Sequence, residues 1–368
     1  MRIVHLMWSL NPGGAETMLV DIANEQSLSN EVIVVIGNTC VDRAVLDGFT
    51  SRVEVKLCGR PEGSRNPWFF LKLYRTLRRL NPDIIHAHND SFIRITRFLD
   101  IPSVLTVHDT GVVLTSLLNR YDAIYSISKA VKKDLTERYP EITSTIIHNG
   151  IIFSSVIKKS HFRDMDAPFR IVQVSRLDLN KKGQDILLRA LPYVNAAVGV
   201  GNVTVDFIGE GASSEDLVLL AKDLDIDKYC RFLGKRSRSY IYENLHNYDL
   251  LVQPSRFEGF GLTVIEAMAA MVPVLVSDIE GPMEIIENGR FGYYFISEDY
   301  EDCANQIINI KRQSKDQKFI EDRKNIAKSA KDRFELESTA KKYIDEYKNV
   351  VNSCMSRDAN QVPDRRIR

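Results

Sequence analysis

Short apolar runs rich in β-branched residues recur along the chain, each followed by an amphipathic stretch. In the first half they are RIVHLMW (2–8), VIVVIG (32–37), VEVKL (53–57), DIIHAH (83–88), SVLTVH (103–108), AIYSIS (123–128) and TIIHNG (145–150). Runs of this length alternating with helical periodicity define βαβ units. They read as continuously apolar because helices cover both faces of a parallel sheet. The rhythm breaks at SSVIKKSHFRDMDAP (154–168) and restarts with FRIVQVSRL (169–177), VTVDFIGEG (203–211), CRFLG (230–234), DLLVQPS (249–255) and VPVLVSD (272–278). The pattern predicts an α/β protein of two Rossmann-like, doubly wound domains facing each other across a cleft, with the boundary between 155 and 168. The expected division is 1–160, 161–335, a helix over 336–352 packing back on the first domain, and a frayed tail over 353–368.

Open parallel sheets bind ligands beyond the carboxyl ends of their strands, beside helix N-termini. Global charge argues against one class of partner, and any anion binding must rest on local patches. With 49 basic and 49 acidic residues, the chain lacks the phosphate attraction on which nucleic-acid binding depends. The five cysteines are scattered and form no CxxC pair, which reads as reduced thiols and not as a disulfide framework or zinc site. No run approaches the roughly 20 apolar residues of a spanning helix. The N-terminus reads as a first strand, and the expectation is a cytoplasmic protein, soluble or peripheral on the inner face of the cell membrane.

Three loops that follow strands carry the residues suited to chemistry. NPGGAE (11–16) places two glycines at a helix start, where bare backbone N–H groups approach an anion; a tight strand–helix turn explains it equally well. It is not GxGxxG, and no acid ends the second strand at VIGN, which disfavours dinucleotide binding. SRLDLNKKG (175–183) sets Arg176 and Lys182 six residues apart before a helix, a fork and a point charge suited to a diphosphate, against the alternative of solvated loop charges. In SRFEGFGLTVIEAM (255–268), Gly259 and Gly261 lead into a helix near Leu262. Glu266, about one turn in, suits a diol such as ribose, and Glu258, before the turn, suits another hydroxylated ring. The plainer alternatives are a helix-dipole partner for Glu266 and a solvated acid for Glu258.

The spacing from Glu258 to Glu266 in SRFEGFGLTVIEAM resembles the E-x7-E signature of the retaining GT-B glycosyltransferases of family 4. GGAE after the first strand, Arg176 and Lys182 in SRLDLNKKG, FIGEG (207–211), HNG (148–150), FLG (232–234) and YDLLVQPS are similar to that family as well, over roughly residues 1 to 350. The resemblance implies the GT-B fold, an N-terminal acceptor-binding domain and a C-terminal domain holding a nucleotide-diphosphate sugar. Lys182 and Arg176 would bind the diphosphate, Glu266 the ribose and Glu258 the donor sugar. The backbone at Phe260, Gly261 and Leu262 would lie against phosphate or sugar, with Gly14 across the cleft. It further implies retention of configuration and metal independence, with no cofactor; no DxD that could plainly carry Mg²⁺ beside the phosphates is found. The implied reaction moves a sugar, from a UDP-sugar ahead of a GDP-sugar, to a glycan or lipid-linked glycan acceptor in cell-surface polysaccharide synthesis. The residues alone choose neither base nor acceptor.

His108, ending SVLTVH, lies where such enzymes present a polar residue to sugar and acceptor, with Asp109 a weaker companion; a strand-end histidine satisfied by local backbone is the alternative. His86 and His88 in HAHND read as structural, because HxH spacing alone is thin evidence for a metal and no third ligand follows. WFFLKLYRTLRRL (68–80) fits either a surface helix on an anionic membrane or an ordinary sheet-covering helix. Rival functions are a sugar-nucleotide epimerase, a phosphorylase, and a non-catalytic sugar-nucleotide-binding protein.

Overall fold

A computed structural model describes residues 1–160, 167–314 and 316–361, with side chains to 356. The chain divides into two compact units, the first comprising Met1–Gly150 with the C-terminal segment from Leu336, the second Ile151–Glu335.

The first unit is built on seven strands: β1 (Arg2–Met7), β2 (Glu31–Asn38), β3 (Val53–Arg60), β4 (Ile84–Ala87), β5 (Ser103–Val107), β6 (Ala123–Ser126) and β7 (Thr145–Ile146). All pair in parallel, in the order β3-β2-β1-β4-β5-β6-β7. Burial along β1 and β2 is continuous, as expected of strands covered on both faces. Polar side chains mark the helix starts. Asn66 accepts from Trp68 N at 3.0 Å beside Pro67 at the first helical position of Pro67–Leu80, and Ser128 accepts from Val131 N at 3.1 Å to start Lys129–Arg138. Each satisfies a donor that the helix itself leaves over. The C-terminal helix Leu336–Gln361 packs on the helix Gly14–Gln26 and buries Tyr343 and Tyr347 completely or nearly so.

The second unit contains β8 (Phe169–Val174), β9 (Val203–Ile208), β10 (Cys230–Phe232), β11 (Leu250–Gln253), β12 (Val274–Ser277) and β13 (Tyr293–Phe295), parallel in the order β10-β9-β8-β11-β12-β13. Its core lies between this sheet and helices including Gln184–Val198 and Tyr300–Gln313, with Phe207, Leu187 and Val252 wholly buried. Burying each such side chain is worth about 1.5–3 kcal/mol.

Three expectations change. The division falls at Gly150, before the expected 155–168, because residues 151–159 are already tied to the second unit. Ile151 N donates to Phe334 O at 2.9 Å, Ile157 N to Tyr242 O at 3.1 Å, and Lys159 N to Ala270 O at 3.0 Å; residues 161–166 of that stretch lie outside the described residues. The run TIIHNG forms only a two-residue strand. The tail expected to fray from residue 353 is instead helical to Gln361, while residues 362–368 lie outside the described residues. Strand β13 gave no signal, being three residues long without alternation.

Candidate functional site

In each unit the strand order reverses between two neighbours, β1/β4 in the first and β8/β11 in the second. Such a switch point opens a crevice at the carboxyl ends of the strands. In the second unit, every residue assigned a donor-binding role from the sequence follows one of those two strands.

The loops after β8 and β11 are fused by backbone. Gly183 sits at φ +59, and a Cβ there would come within 1.9 Å of Pro254 O, so only glycine fits. Arg256 N and Phe257 N donate to Lys181 O at 2.9 and 3.1 Å. The Arg256 guanidinium spans both carboxylate oxygens of Asp185 (2.8 and 3.0 Å) and of Glu298 (2.7 and 2.8 Å). Buried Gln184 donates to Arg176 O at 2.8 Å and to Ser175 Oγ at 3.0 Å, which fixes the Arg176 backbone while its side chain stays exposed.

This framework brings Lys182 against Glu258. Lys182 Nζ donates to Glu258 Oε2 at 2.7 Å, and Gln253 Nε2, at the end of β11, donates to the same oxygen at 2.7 Å. Thr263 Oγ1 donates in turn to Gln253 Oε1 at 3.1 Å. Four residues at or beyond the carboxyl ends of two strands thus form one continuous polar chain at the switch point. Sequence reasoning missed Gln253; its signal was a glutamine closing the apolar strand LLVQ.

Gly261 (φ +117) starts the helix Leu262–Ala269. Phe260, 2% exposed, packs edge-on against Phe334 with centroids 5.7 Å apart, pinning the turn while Leu262 stays half-buried. Glu266 lies beyond the first turn of this helix, which holds no acid, so the helix-dipole alternative does not describe it. It is 7% exposed, with Arg238 Nε 3.9 Å from Oε1. A carboxylate beside a cation stays ionised and accepts hydrogen bonds only. Gly209 and Gly211 in FIGEG let the loop after β9 approach the loop after β8; a Cβ on either would lie 1.8 Å from Ser175 O or 2.1 Å from Leu177 O.

In the first unit Gly13 caps the helix Gly14–Gln26, and Gly14 is its exposed first residue. The loops after β1, β4 and β5 enclose a cavity of about 320 Å³ lined by Trp8, Glu16, His88, Asn89, His108 and Asp109, among others. His108 is not satisfied by local backbone: Nε2 meets His88 Nδ1 at 2.9 Å, and Nδ1 is buried without a hydrogen-bond partner. Burial pushes the His108 imidazole down to about 4. The expectation that no third ligand accompanies His86 and His88 is corrected. His5, paired in register with His86 across β1 and β4, completes a buried group close enough to share an ion. The signal was a histidine at the centre of two adjacent apolar runs, RIVHLM and IIHA.

Residues 12–154 match Glycosyltransferase Family 4 and residues 156–333 match Glycosyl transferases group 1. The chain is 29% identical over 263 residues to a glycogen synthase of Mycobacterium tuberculosis, covering 65% of this chain; the match spans 63% of the relative's length. It is 23% identical over 314 residues to an N-acetyl-alpha-D-glucosaminyl L-malate synthase of Bacillus anthracis, covering 78% of this chain and 79% of that one. Its fold is similar to that of Anabaena HepE, solved in complex with UDP and glucose, with TM-score 0.78 and 23% identity over 94% of this chain and 99% of that one. Fold and switch-point loops define a GT-B protein of two Rossmann-like units. The chain belongs to the family 4 glycosyltransferases, with a group 1 second unit.

Proposed function

We propose that this protein is a retaining hexosyltransferase that moves a sugar from a nucleotide-diphosphate sugar to a hydroxyl of a glycan or lipid-linked glycan. The observation that carries the reading is the convergence of Arg176, Lys182, Glu258 and the helix start at Gly261 on the two strands of one switch point. In this reading the second unit holds the donor. Lys182, Arg176 and the amides at Gly261 and Leu262 neutralise the diphosphate, Glu266 accepts from the ribose hydroxyls, and Glu258 takes the sugar. The first unit holds the acceptor and supplies His108 and the Gly13–Gly14 turn. A UDP-sugar comes ahead of a GDP-sugar, supported by HepE, which was solved with UDP-glucose.

The chemistry asked of these groups is charge stabilisation. The bond from the anomeric carbon to the diphosphate oxygen breaks and a bond to the acceptor oxygen forms on the same face. The acceptor's proton passes to the departing phosphate. Preorganised cations and amide dipoles lower the barrier because they are already aimed at the charge that develops. Trapping a glycosyl group on a carboxylate would overturn this same-face route, and loss of turnover on chelation would overturn its metal independence. We place the reaction in cell-surface polysaccharide synthesis at the inner face of the membrane. The deciding experiment is acceptor-dependent release of nucleoside diphosphate from purified protein. Lys182→Ala and Arg176→Ala are each expected to lower it about a hundredfold, the cost of one preorganised donor. Release without acceptor, or epimerised donor as product, would overturn the assignment.

A further inference from the structure

The three buried histidines His5, His86 and His88 invite a metal, but each of their six ring nitrogens already has a hydrogen-bond partner. His5 Nδ1 meets His88 Nε2 at 3.1 Å and His5 Nε2 meets Gln26 Oε1 at 2.9 Å. His86 Nδ1 meets Tyr347 OH at 2.6 Å and His86 Nε2 meets Thr106 Oγ1 at 2.7 Å. His88 Nδ1 meets His108 Nε2 at 2.9 Å. An ion would have to break several of these bonds, each costly to leave unmade in a buried site.

These contacts have one consistent direction. Gln26, 2% exposed, donates through Nε2 to Tyr347 OH at 3.4 Å, which leaves Oε1 facing His5. An amide oxygen only accepts, so His5 carries its proton on Nε2 and accepts on Nδ1. His88 then donates from Nε2 and accepts on Nδ1, and His108 donates from Nε2. A second branch leaves the same glutamine: Tyr347 OH donates to His86 Nδ1, His86 Nε2 to Thr106 Oγ1, and Thr106 Oγ1 to Tyr343 OH, 3.1 Å away. Each imidazole is neutral, held so by burial, so each has one donor and one acceptor nitrogen.

We propose that Gln26, through His5 and His88, fixes His108, which lines the first-unit cavity, as the Nε2–H tautomer, so that its buried and unpartnered Nδ1 is an obligate hydrogen-bond acceptor. The inference rests on the reading of His108 as a group that meets sugar or acceptor, and it narrows what His108 takes. A neutral acceptor receives a hydroxyl and repels a phosphate or carboxylate oxygen, so His108 orients a hydroxyl of the sugar or acceptor and does not neutralise the leaving group. Gln26, His5 and His88 are positioning residues. They reach the reacting groups only through His108, as the outer partners of a ligand do.

The test is two-bond ¹H–¹⁵N spectroscopy of the full chain carrying ¹⁵N-histidine at neutral pH, with signals assigned by single His→Gln variants. The expected spectrum has His5, His88 and His108 all neutral with the proton on Nε2. In Gln26→Met, which removes the accepting oxygen, His108 is expected to lose this single pattern. Acceptor-dependent kcat should fall about tenfold or more, with donor KM within about twofold. Tyr347→Phe, which frees the Gln26 amide to turn, is the second variant, expected to weaken the pattern without removing a histidine. A proton on His108 Nδ1, a charged His108, or an unchanged pattern in both variants overturns the proposal. Turnover of His108→Ala separately checks the role of His108 in transfer; native turnover there would sink that role whatever the spectrum shows.

Discussion

Lys182 Nζ lies 2.7 Å from Glu258 Oε2, so the groups proposed for the diphosphate and for the adjoining sugar are bonded to each other. Gln253 donates to the same carboxylate oxygen, a second anchor for Glu258 that does not depend on the lysine. In the proposed donor site, a diphosphate is expected to compete with Glu258 for Lys182 and to leave the carboxylate oxygen to accept from the sugar's hydroxyls. On that reading, binding of the leaving group and readiness for the sugar would be coupled at one ion pair.

That coupling separates two variants that a simple count of contacts would not. Lys182→Ala is expected to weaken nucleoside diphosphate binding and turnover together. Glu258→Gln removes the competing charge, so nucleoside diphosphate should bind as tightly as before or tighter, while turnover falls about a hundredfold. Calorimetric titration with UDP beside a steady-state assay checks this. Weaker UDP binding in Glu258→Gln would refute the competition.

Gly183 tests whether the fused loops matter to the fold. Its positive φ, and the mere 1.9 Å that would separate a Cβ from Pro254 O, leave no room for alanine. Gly183→Ala is expected to cost more than about 1 kcal/mol, the penalty of an incompatible backbone conformation, and to abolish UDP binding. Urea unfolding followed by circular dichroism gives the first quantity and titration the second.

How much of this was legible in the sequence depended on the range of each interaction. Strands and switch-point loops were readable because burial on both faces writes itself as local apolar runs, and the loop residues are adjacent in sequence to the strands that place them. The pairing of Gln253 with Glu258 spans only five residues, yet it was missed because a strand-end glutamine is chemically plain. The third member of the histidine group, His5, was missed for the opposite reason. His5 and His88 are 83 residues apart, and only the β1–β4 pairing reveals them as neighbours. The helical continuation past residue 353 was missed because the tail carries no helical apolar period of its own.

The helix Pro67–Leu80 turns Leu73 and Leu77 inward, while Trp68 (58% exposed) and Leu71 stand exposed beside Lys72, Arg75, Arg78 and Arg79. Its inner face covers the sheet, as the ordinary reading holds, and its outer face retains the aromatic and basic pattern of an interfacial helix. The protein is expected to sediment with vesicles rich in anionic lipid and to stay in solution with zwitterionic ones. Arg75→Glu with Arg78→Glu should abolish the difference, since each basic residue near the surface is worth about 1 kcal/mol. Equal sedimentation with both vesicle types would remove an electrostatic role for this face.

The buried histidines make the first unit sensitive to acid. His5 and His108 are pushed down to about 4 by burial, and His86 and His88 lie well below their ordinary value for the same cause. Below an ordinary value near 6.5 the unfolded chain binds protons that the folded chain refuses, so stability rises with pH in that window. The contribution is complete above about 6.5 and is lost as pH falls toward 4, by on the order of 1 kcal/mol per histidine for each pH unit. Both tryptophans, Trp8 and Trp68, belong to the first unit, so their fluorescence follows its unfolding alone. Its thermal midpoint should drop between pH 7.5 and 5, and His5→Gln should make that drop shallower. A midpoint independent of pH across this range would show that the imidazoles are not held neutral.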